Sequence, residues 1–404
     1  AVSMGPETSS SCVALFSSTY PLMFDGYLKL SSFRTSLAEA LKRAGYATAA
    51  FHSNPFLSRG KGFERGFDEF YDSLSLKGLK SSLFKWFRVR LKQQEPYVKA
   101  LKINELVLKW LKKHPSKSFT WIHYMDVHHP YLPPNDFKPR ELTSARIKEL
   151  NEKLYLIGKG KMEPKLLSED DLRDVRLLYA SMVEYVDYSI GRLLKELDEI
   201  LDLGETCVVL TADHGIELME HGGLLHSTKL YDELIRVPLI VRGPGLKNTT
   251  VEGQVSLLSL APTILDLLSV HPPASFMGLS LAPFMRGELK DLPPQLAISE
   301  VGHRQEDPFT ILSEETKISV RTERWKLIYK AQGGLELYNL KDDPKESVNL
   351  ASRIDEECSA LKEALKSHLR LLKESQELAQ RISRLKANLR LRGELPLRVR
   401  QSTS

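Results

Sequence analysis

Asp213 and His214 follow directly on an apolar, β-branched run, Cys207–Leu210. Such a run reads as a buried strand. In an open α/β sheet, ligands gather beyond the carboxyl ends of strands, so the pair stands where chemistry is expected. A carboxylate beside an imidazole suits a divalent cation such as Zn, Mn or Mg. Taken alone, the dipeptide reads more simply as a turn and a helix cap. His221 and His226 come next, before a second apolar run at Val237–Val241.

Two further stretches carry reactive side chains. In SFTWIHYMDVHHPYLPP, over residues 118–134, an apolar strand from Ser118 to Met125 ends where Asp126, His128 and His129 crowd together before a series of prolines. His128 at this end can donate to an anionic oxygen or protonate a leaving group. His123, inside the strand, reads as a packed core histidine, and His129 as a support. Near the start, a Gly-Pro turn leads to the hydroxyl cluster Thr8–Ser11 and then to apolar Val13–Phe16. A hydroxyl at a helix N-terminus suits a nucleophile, because free N–H groups and the helix dipole favour a developing anion. The same cluster reads equally as an N-cap cluster without chemistry.

The segment Thr206–Gly245 as a whole resembles the sulfatase family of the alkaline phosphatase superfamily. The resemblance rests on a strand ending in Asp-His-Gly, then His226, then Tyr231-Asp232-Glu233, then Val237-Pro238-Leu239-Ile240. It implies that Asp213 and His214 bind one divalent metal ion (Ca, Mg, Mn or Zn). The sulfatase pattern Asp-Pro-His-x-Pro-Tyr matches the 126–131 stretch and places an anion-contacting role on His128, with His226 as its partner. The family nucleophile opens a segment Cys/Ser-x-Pro-Ser-Arg that ends shortly before Tyr-Pro. Counting back from Tyr20-Pro21 puts the nucleophile on Thr8, which also touches the metal, and puts Ser10, Ser11 and Cys12 at the Pro, Ser and Arg positions. A threonine cannot become formylglycine, and it is the nucleophile of phosphatases, phosphodiesterases and head-group transferases in the superfamily. The resemblance therefore implies a metal-dependent hydrolase of sulfuric or related phosphoric esters. The alternatives are a phosphodiesterase or phospho-head-group transferase, or a non-catalytic binding protein on the same fold. It also implies a first strand, with another metal-binding aspartate, upstream of Ala1. The 404 residues are then a fragment with an incomplete metal shell.

The surrounding elements follow from periodicity. Leu37, Leu41 and Ala44 make a helix face that Gly45 ends, and Tyr46–Phe51 is a strand with His52 and Asn54 at its end. His52 and Asn54 read as loop structure, with site contact as the alternative. Residues 73–117 hold a basic amphipathic stretch, read as a solvated insertion rather than a membrane contact, and 98–113 a helix. Residues 135–167 are a polar excursion. Ser168 and Asp171 form a capping box that opens a long helix. Residues 255–268 are a helix carrying Pro262. From 295 to 350 the period changes to short strands, with a Gly333-Gly334 hairpin turn, and a charged helix runs from Arg353 to about Leu389. The fold expected is α/β: a large, mostly parallel sheet sandwiched by helices, then a small C-terminal antiparallel sheet and helix. The division expected is a catalytic domain over 1–290, an antiparallel subdomain over 291–350, and a helix with a basic tail over 351–404.

Composition limits the remaining classes. The chain has 42% hydrophobic and 27% charged residues and a net charge of +5, which gives no argument for a nucleic-acid partner. No apolar run reaches the roughly 18 residues of a transmembrane helix. Cys12, Cys207 and Cys358 are scattered without a disulfide or metal spacing, which favours a reducing, cytoplasmic setting. The start at Ala-Val-Ser, without Met, leaves an upstream leader open. The expected partner is a small-molecule, glycan or lipid ester substrate. Oligomeric state is not legible.

Overall fold

The structure is a computed structural model that describes residues 1–72, 97–226, 228–302, 313–353 and 358–391. The basic stretch over residues 73–96 and the tail beyond Leu391 lie outside the described residues. The chain order is α1 (Thr8–Ser17), α2 (Leu37–Arg43), β1 (Ala47–His52), β2 (Glu69–Tyr71), α3 (Ala100–Leu111), β3 (Ser118–His123), α4 (Ser144–Gly158), α5 (Glu169–Leu197) and β4 (Val208–Thr211). Then come β5 (Glu217–Leu218), β6 (Leu224–Leu225), α6 (Asp232–Ile235), β7 (Leu239–Arg242), α7 (Leu260–Leu267) and α8 (Ala282–Met285). The last part is β8 (Ala297–Val301), β9 (Lys317–Arg321), β10 (Trp325–Lys330), β11 (Leu335–Asn339) and α9 (Ser359–Leu391).

β1 shows why the fold is layered. Alternate side chains of a strand face opposite sides of its sheet. Ala50 packs in one core with Val13 and Phe16 of α1 and Leu41 of α2. Ala49 and Phe51 pack in another with Ile103 and Trp110 of α3 and Leu193 of α5. Helices therefore cover both faces, and the strand reads as a continuous apolar run. The parallel sheet has the order β2-β1-β3, with His52 of β1 level with His123 of β3.

Three elements differ from expectation. β4 is half-buried, with Leu210 37% exposed, rather than buried. It pairs antiparallel with β7 alone, and β3 pairs with β1 alone, so each shows one ladder edge to no named strand. The 135–167 excursion holds α4, capped by Thr143 and buried along Ile147, Leu150 and Leu154. Its charged remainder masks that one apolar face. α1 starts at Thr8 with Glu7 as N-cap, and the serines lie inside the helix rather than capping it. The capping boxes of α2 (Ser36 with Glu39) and α5 (Ser168 with Asp171) follow the sequence pattern.

The C-terminal sheet, β11-β10-β9-β8, is antiparallel, and Gly333 and Gly334 turn its last hairpin at φ of 103° and 111°. α9 covers it: Leu361, Leu365 and Leu372 share a core with Ile318, Val320 and Leu327, and with Val13 of α1. An ion-pair knot ties this sheet to α6. Lys326 Nζ, fully buried, lies 2.8 Å from Asp232 Oδ1 and 2.8 Å from Glu346 Oε1. Arg321 Nη2 donates to Asp232 Oδ2 at 2.7 Å. Burial raises the Asp232 carboxyl, but Lys326 and Arg321 outweigh it and hold the group far below the ordinary carboxylate range.

Lys326→Ala leaves the buried Glu346 carboxylate without a cation and Asp232 with Arg321 alone. We expect a loss of about 3–5 kcal/mol in urea denaturation, the usual cost of breaking a buried pair from one side. Asp232 is depressed in the fold, so its stabilisation is present above the ordinary carboxylate pKa of about 4 and is lost as pH falls toward the folded value. Wild type should therefore lose stability on acidification below that pH. An unchanged midpoint in Lys326→Ala contradicts this account.

Candidate active site

A narrow cleft opens where β1, β3 and β4 end and α1 begins. Thr8, Ser9, Asn54, Pro55, Phe56, Tyr97, Met125, His128 and His226 line it. Thr8 sits at the first turn of α1 and is 9% exposed. Its Oγ1 lies 3.4 Å from His214 Nε2 and 3.4 Å from Asn54 Nδ2, which donates to it.

Short-range packing fixes this segment. Ser11 Oγ donates to the Gly5 carbonyl at 2.7 Å. Ser3 Oγ stands 2.9 Å from Ser11 Oγ and donates a short bond to the Asp213 carbonyl. Gly5 has no room for a side chain, because a Cβ there falls 2.1 Å from Ser10 Oγ and 3.0 Å from the Glu300 carbonyl. Glu300 belongs to β8, whose N–H donates to the Met4 carbonyl at 2.8 Å.

Asp213 follows β4, with Oδ1 accepting from the His214 N–H at 3.0 Å. Its Oδ2 is buried without a hydrogen-bond partner. His214 Nε2 and His123 Nε2 approach that oxygen at 3.7 Å and 3.8 Å. Burial raises the Asp213 carboxyl, yet His214, His123 and the Thr8 hydroxyl bring it down to about 2, so it is a carboxylate at neutral pH. His123 was expected to be plain core. It does stack on Trp121, but its ring also faces this carboxylate.

Tautomers follow from carbonyl acceptors. His214 Nδ1 is 2.8 Å from the Gly215 carbonyl, which can only accept, so Nδ1 carries the proton and Nε2 turns a lone pair toward Thr8. His128 Nδ1 stands 2.6 Å from the His129 carbonyl by the same logic, leaving Nε2 as the acceptor. The Tyr97 hydroxyl lies 3.0 Å from His128 Nδ1, and burial pushes it up to about 12. The His226 ring is 5.0 Å from that of His214 and 5.5 Å from that of His128. Burial, then His214 and His128, push His226 down to about 3. Burial also lowers His128, and with His128 it pushes His129 down to about 4.

All five expected residues therefore lie close together: Thr8, His128 and His226 line the cleft, and His214 and Asp213 stand behind Thr8. A divalent cation fits the orphaned Asp213 oxygen, the His214 lone pair and the Thr8 oxygen. Among the described residues no three His, Cys, Asp or Glu side chains form a metal group, so these residues supply part of a shell. His221 is turned elsewhere, held by Glu233 Oε1 at 2.6 Å and stacked on Tyr231. Cys12 is 2% exposed in the core behind α1, and burial raises its thiol well above the ordinary range. Tyr97, Phe56 and Met125 were not anticipated. Loop residues of these types carry no spacing signal.

Comparison with known proteins identifies the family and the fold. The sulfatase family model matches residues 1–270, and the model described as N-sulphoglucosamine sulphohydrolase, C-terminal, matches residues 220–375. Arylsulfatase K of Bos taurus is 29% identical over 55% of this chain and 44% of its own length. N-acetylglucosamine-6-O-sulfatase of Bacteroides thetaiotaomicron is 33% identical over 49% of this chain and 36% of its own length. The chain thus spans less than half the length of these curated relatives. Among solved structures, the phosphonate monoester hydrolase of Agrobacterium radiobacter superposes with a TM-score of 0.67 at 20% identity, over 92% of this chain and 87% of its own. A protein solved with its substrate D-glucosamine-2-N,6-O-disulfate gives 0.68 at 19% identity, over 92% and 90%. At these identities the likeness concerns the fold.

The depressed pKa of His226 is directly measurable. In a ring-nitrogen NMR titration it should stay neutral as pH falls from 8 to about 4, since its folded value is about 3 against an ordinary 6.5. A midpoint near the ordinary value contradicts the burial described here.

Proposed function

The chain belongs to the sulfatase family, and from that premise we propose that it hydrolyses sulfate esters through a covalent intermediate on Thr8. The observation that carries this reading is the Thr8 hydroxyl, held at the cleft floor between the His214 lone pair and the Asn54 amide. The names of the curated relatives support sulfated sugars or aryl sulfates as the substrate class. Phe56, Tyr97 and Met125 suit such a ring, since they give the cleft an aromatic and apolar flank.

The residues divide the work as follows. Thr8 Oγ1 attacks sulfur, and the bond from sulfur to the leaving oxygen breaks. The Thr8 proton passes to the neutral imidazole of His128, which then returns it to the departing alkoxide. Water next attacks the Thr8 ester, giving its proton to the His128 Nε2 lone pair, and the Thr8 oxygen leaves and is reprotonated. His226, kept neutral by burial, can hold a non-bridging oxygen without adding a mobile charge. A divalent metal held by Asp213, His214 and Thr8 would polarise the ester and stabilise developing negative charge. Its identity among Ca, Mg, Mn and Zn is open.

Thr8 favours a second reading, hydrolysis of phosphate or phosphonate esters. Oxidising a threonine side chain gives a ketone, never the aldehyde of formylglycine, so chemistry that depends on the aldehyde hydrate is closed to this residue. Attack by a plain alkoxide on a phosphorus ester is open to it.

Thr8→Ala should lower turnover at least about 100-fold, the scale of a lost catalytic group, while still binding metal through Asp213 and His214. Asp213→Ala should lower metal content and turnover together. Assays on an aryl sulfate and an aryl phosphonate, run side by side, assign the ester class. Mass-spectrometric trapping should place the transferred group on Thr8. Label on Ser9 or Cys12, or an aldehyde on either, overturns the assignment.

A further inference from the structure

The last turns of α9 carry a surface the cleft does not use. Helix geometry advances about 100° per residue, so Leu378, Ile382, Leu385 and Leu389 fall within an arc of roughly 60°. Leu378 is 52% exposed and Leu385 59% exposed. The buried seam of the same helix, Leu361, Leu365, Leu372 and Ala379, lies about a quarter turn away. The protein holds the helix from that other side. Ser375 Oγ accepts from the Phe24 N–H at 3.4 Å, Gln376 Nε2 donates to the Leu22 carbonyl at 3.2 Å, and the Lys386 ammonium sits 5.6 Å over the Phe33 ring. Upstream on the stripe's own face, Ala364 and Leu371 are partly covered by the core; from Leu378 onward Leu378 and Leu385 stand exposed, with Ile382 and Leu389 half-buried beside them.

Charge decides what fits this stripe. Arg381 and Lys386 flank it on opposite sides, Arg384 stands further round, and all three are exposed. No Asp or Glu occurs between Leu378 and Leu391. We propose that this end of α9 docks on an anionic lipid surface, with the leucine stripe in the acyl boundary and the cations on the headgroups. A polybasic amphipathic helix binds such a surface through both terms together. A soluble acidic polymer meets the cations but leaves the leucines in water. A second copy covers the leucines but brings like charges together.

The full chain, with its cleft intact, is the protein to test. It should co-sediment with vesicles of phosphatidylcholine mixed with phosphatidylserine, and not with phosphatidylcholine alone. Added salt should weaken binding, since exposed charges are screened. Leu385→Glu, at an exposed position, should weaken binding roughly tenfold or more while circular dichroism and esterase turnover stay at wild-type values, because it places a charge in the acyl boundary. Arg381→Ser with Arg384→Ser should weaken it independently. Equal vesicle binding by wild type and Leu385→Glu overturns the proposal. So does binding to heparin without vesicles, or a dimer in solution that Leu385→Glu dissolves while vesicles are ignored.

Discussion

Asp213 keeps its charge while buried beside Thr8, and that requirement organises the cleft. A carboxylate removed from water costs several kcal/mol unless nearby groups replace its hydration. Here the His214 N–H donates to one oxygen, and the rings of His123 and His214 approach the other. These partners come from two separate strand ends. Parallel pairing of β1 with β3 sets the depth of His123, and β4 delivers Asp213 and His214. Ser3, bonded to the Asp213 backbone and to Ser11, brings the start of α1 to the same point. Thr8 and the Asp213 carboxylate are thus positioned by one connected set of hydrogen bonds.

Charge pairing away from the cleft serves the same end. Glu217, fully buried, accepts from the His221 and Gly223 N–H groups and from Lys229 Nζ at 2.7 Å. It braces the loop that carries His226. Lys326 and Arg321 close on Asp232 just after that loop and anchor it to the C-terminal sheet. Such pairs add little net stability compared with apolar packing, but each is costly to break from one side. They favour one loop geometry over its alternatives.

Much of this was legible before any coordinates. Hydrophobic period marked β1, α5 and the four C-terminal strands, because their apolar residues recur at the spacing of each element even where a buried charge such as Lys326 interrupts them. The capping box at Ser168 was read where Ser precedes Asp by three residues; the same pattern at Ser36 and Glu39 was not. Thr8, His128, Asp213, His214 and His226 were found through motif register, which reflects chain order at strand ends. The misses have physical causes. α4 hides its three buried residues among lysines and glutamates. The exposure of β4 depends on its neighbours in space, which local sequence does not carry. Tyr97 and Phe56 reach the cleft from loops, where neither spacing nor residue type marks a partner. His123 looked like core because alternation in a strand says which face a side chain takes, not what waits there.

Gly5 gives the architecture a further meaning. Its backbone passes so close to the Glu300 carbonyl that the segment leading to Thr8 and β8 are fitted to each other at atomic contact. The C-terminal sheet is therefore not an interchangeable module. A chimera that joined residues 1–290 to the sheet of a distant relative would set a foreign strand against the Ser3–Gly5 backbone. The first thing it would disturb is the start of α1. Successful recombination in this fold has to exchange the opening segment and β8 together, although they stand almost three hundred residues apart in the chain.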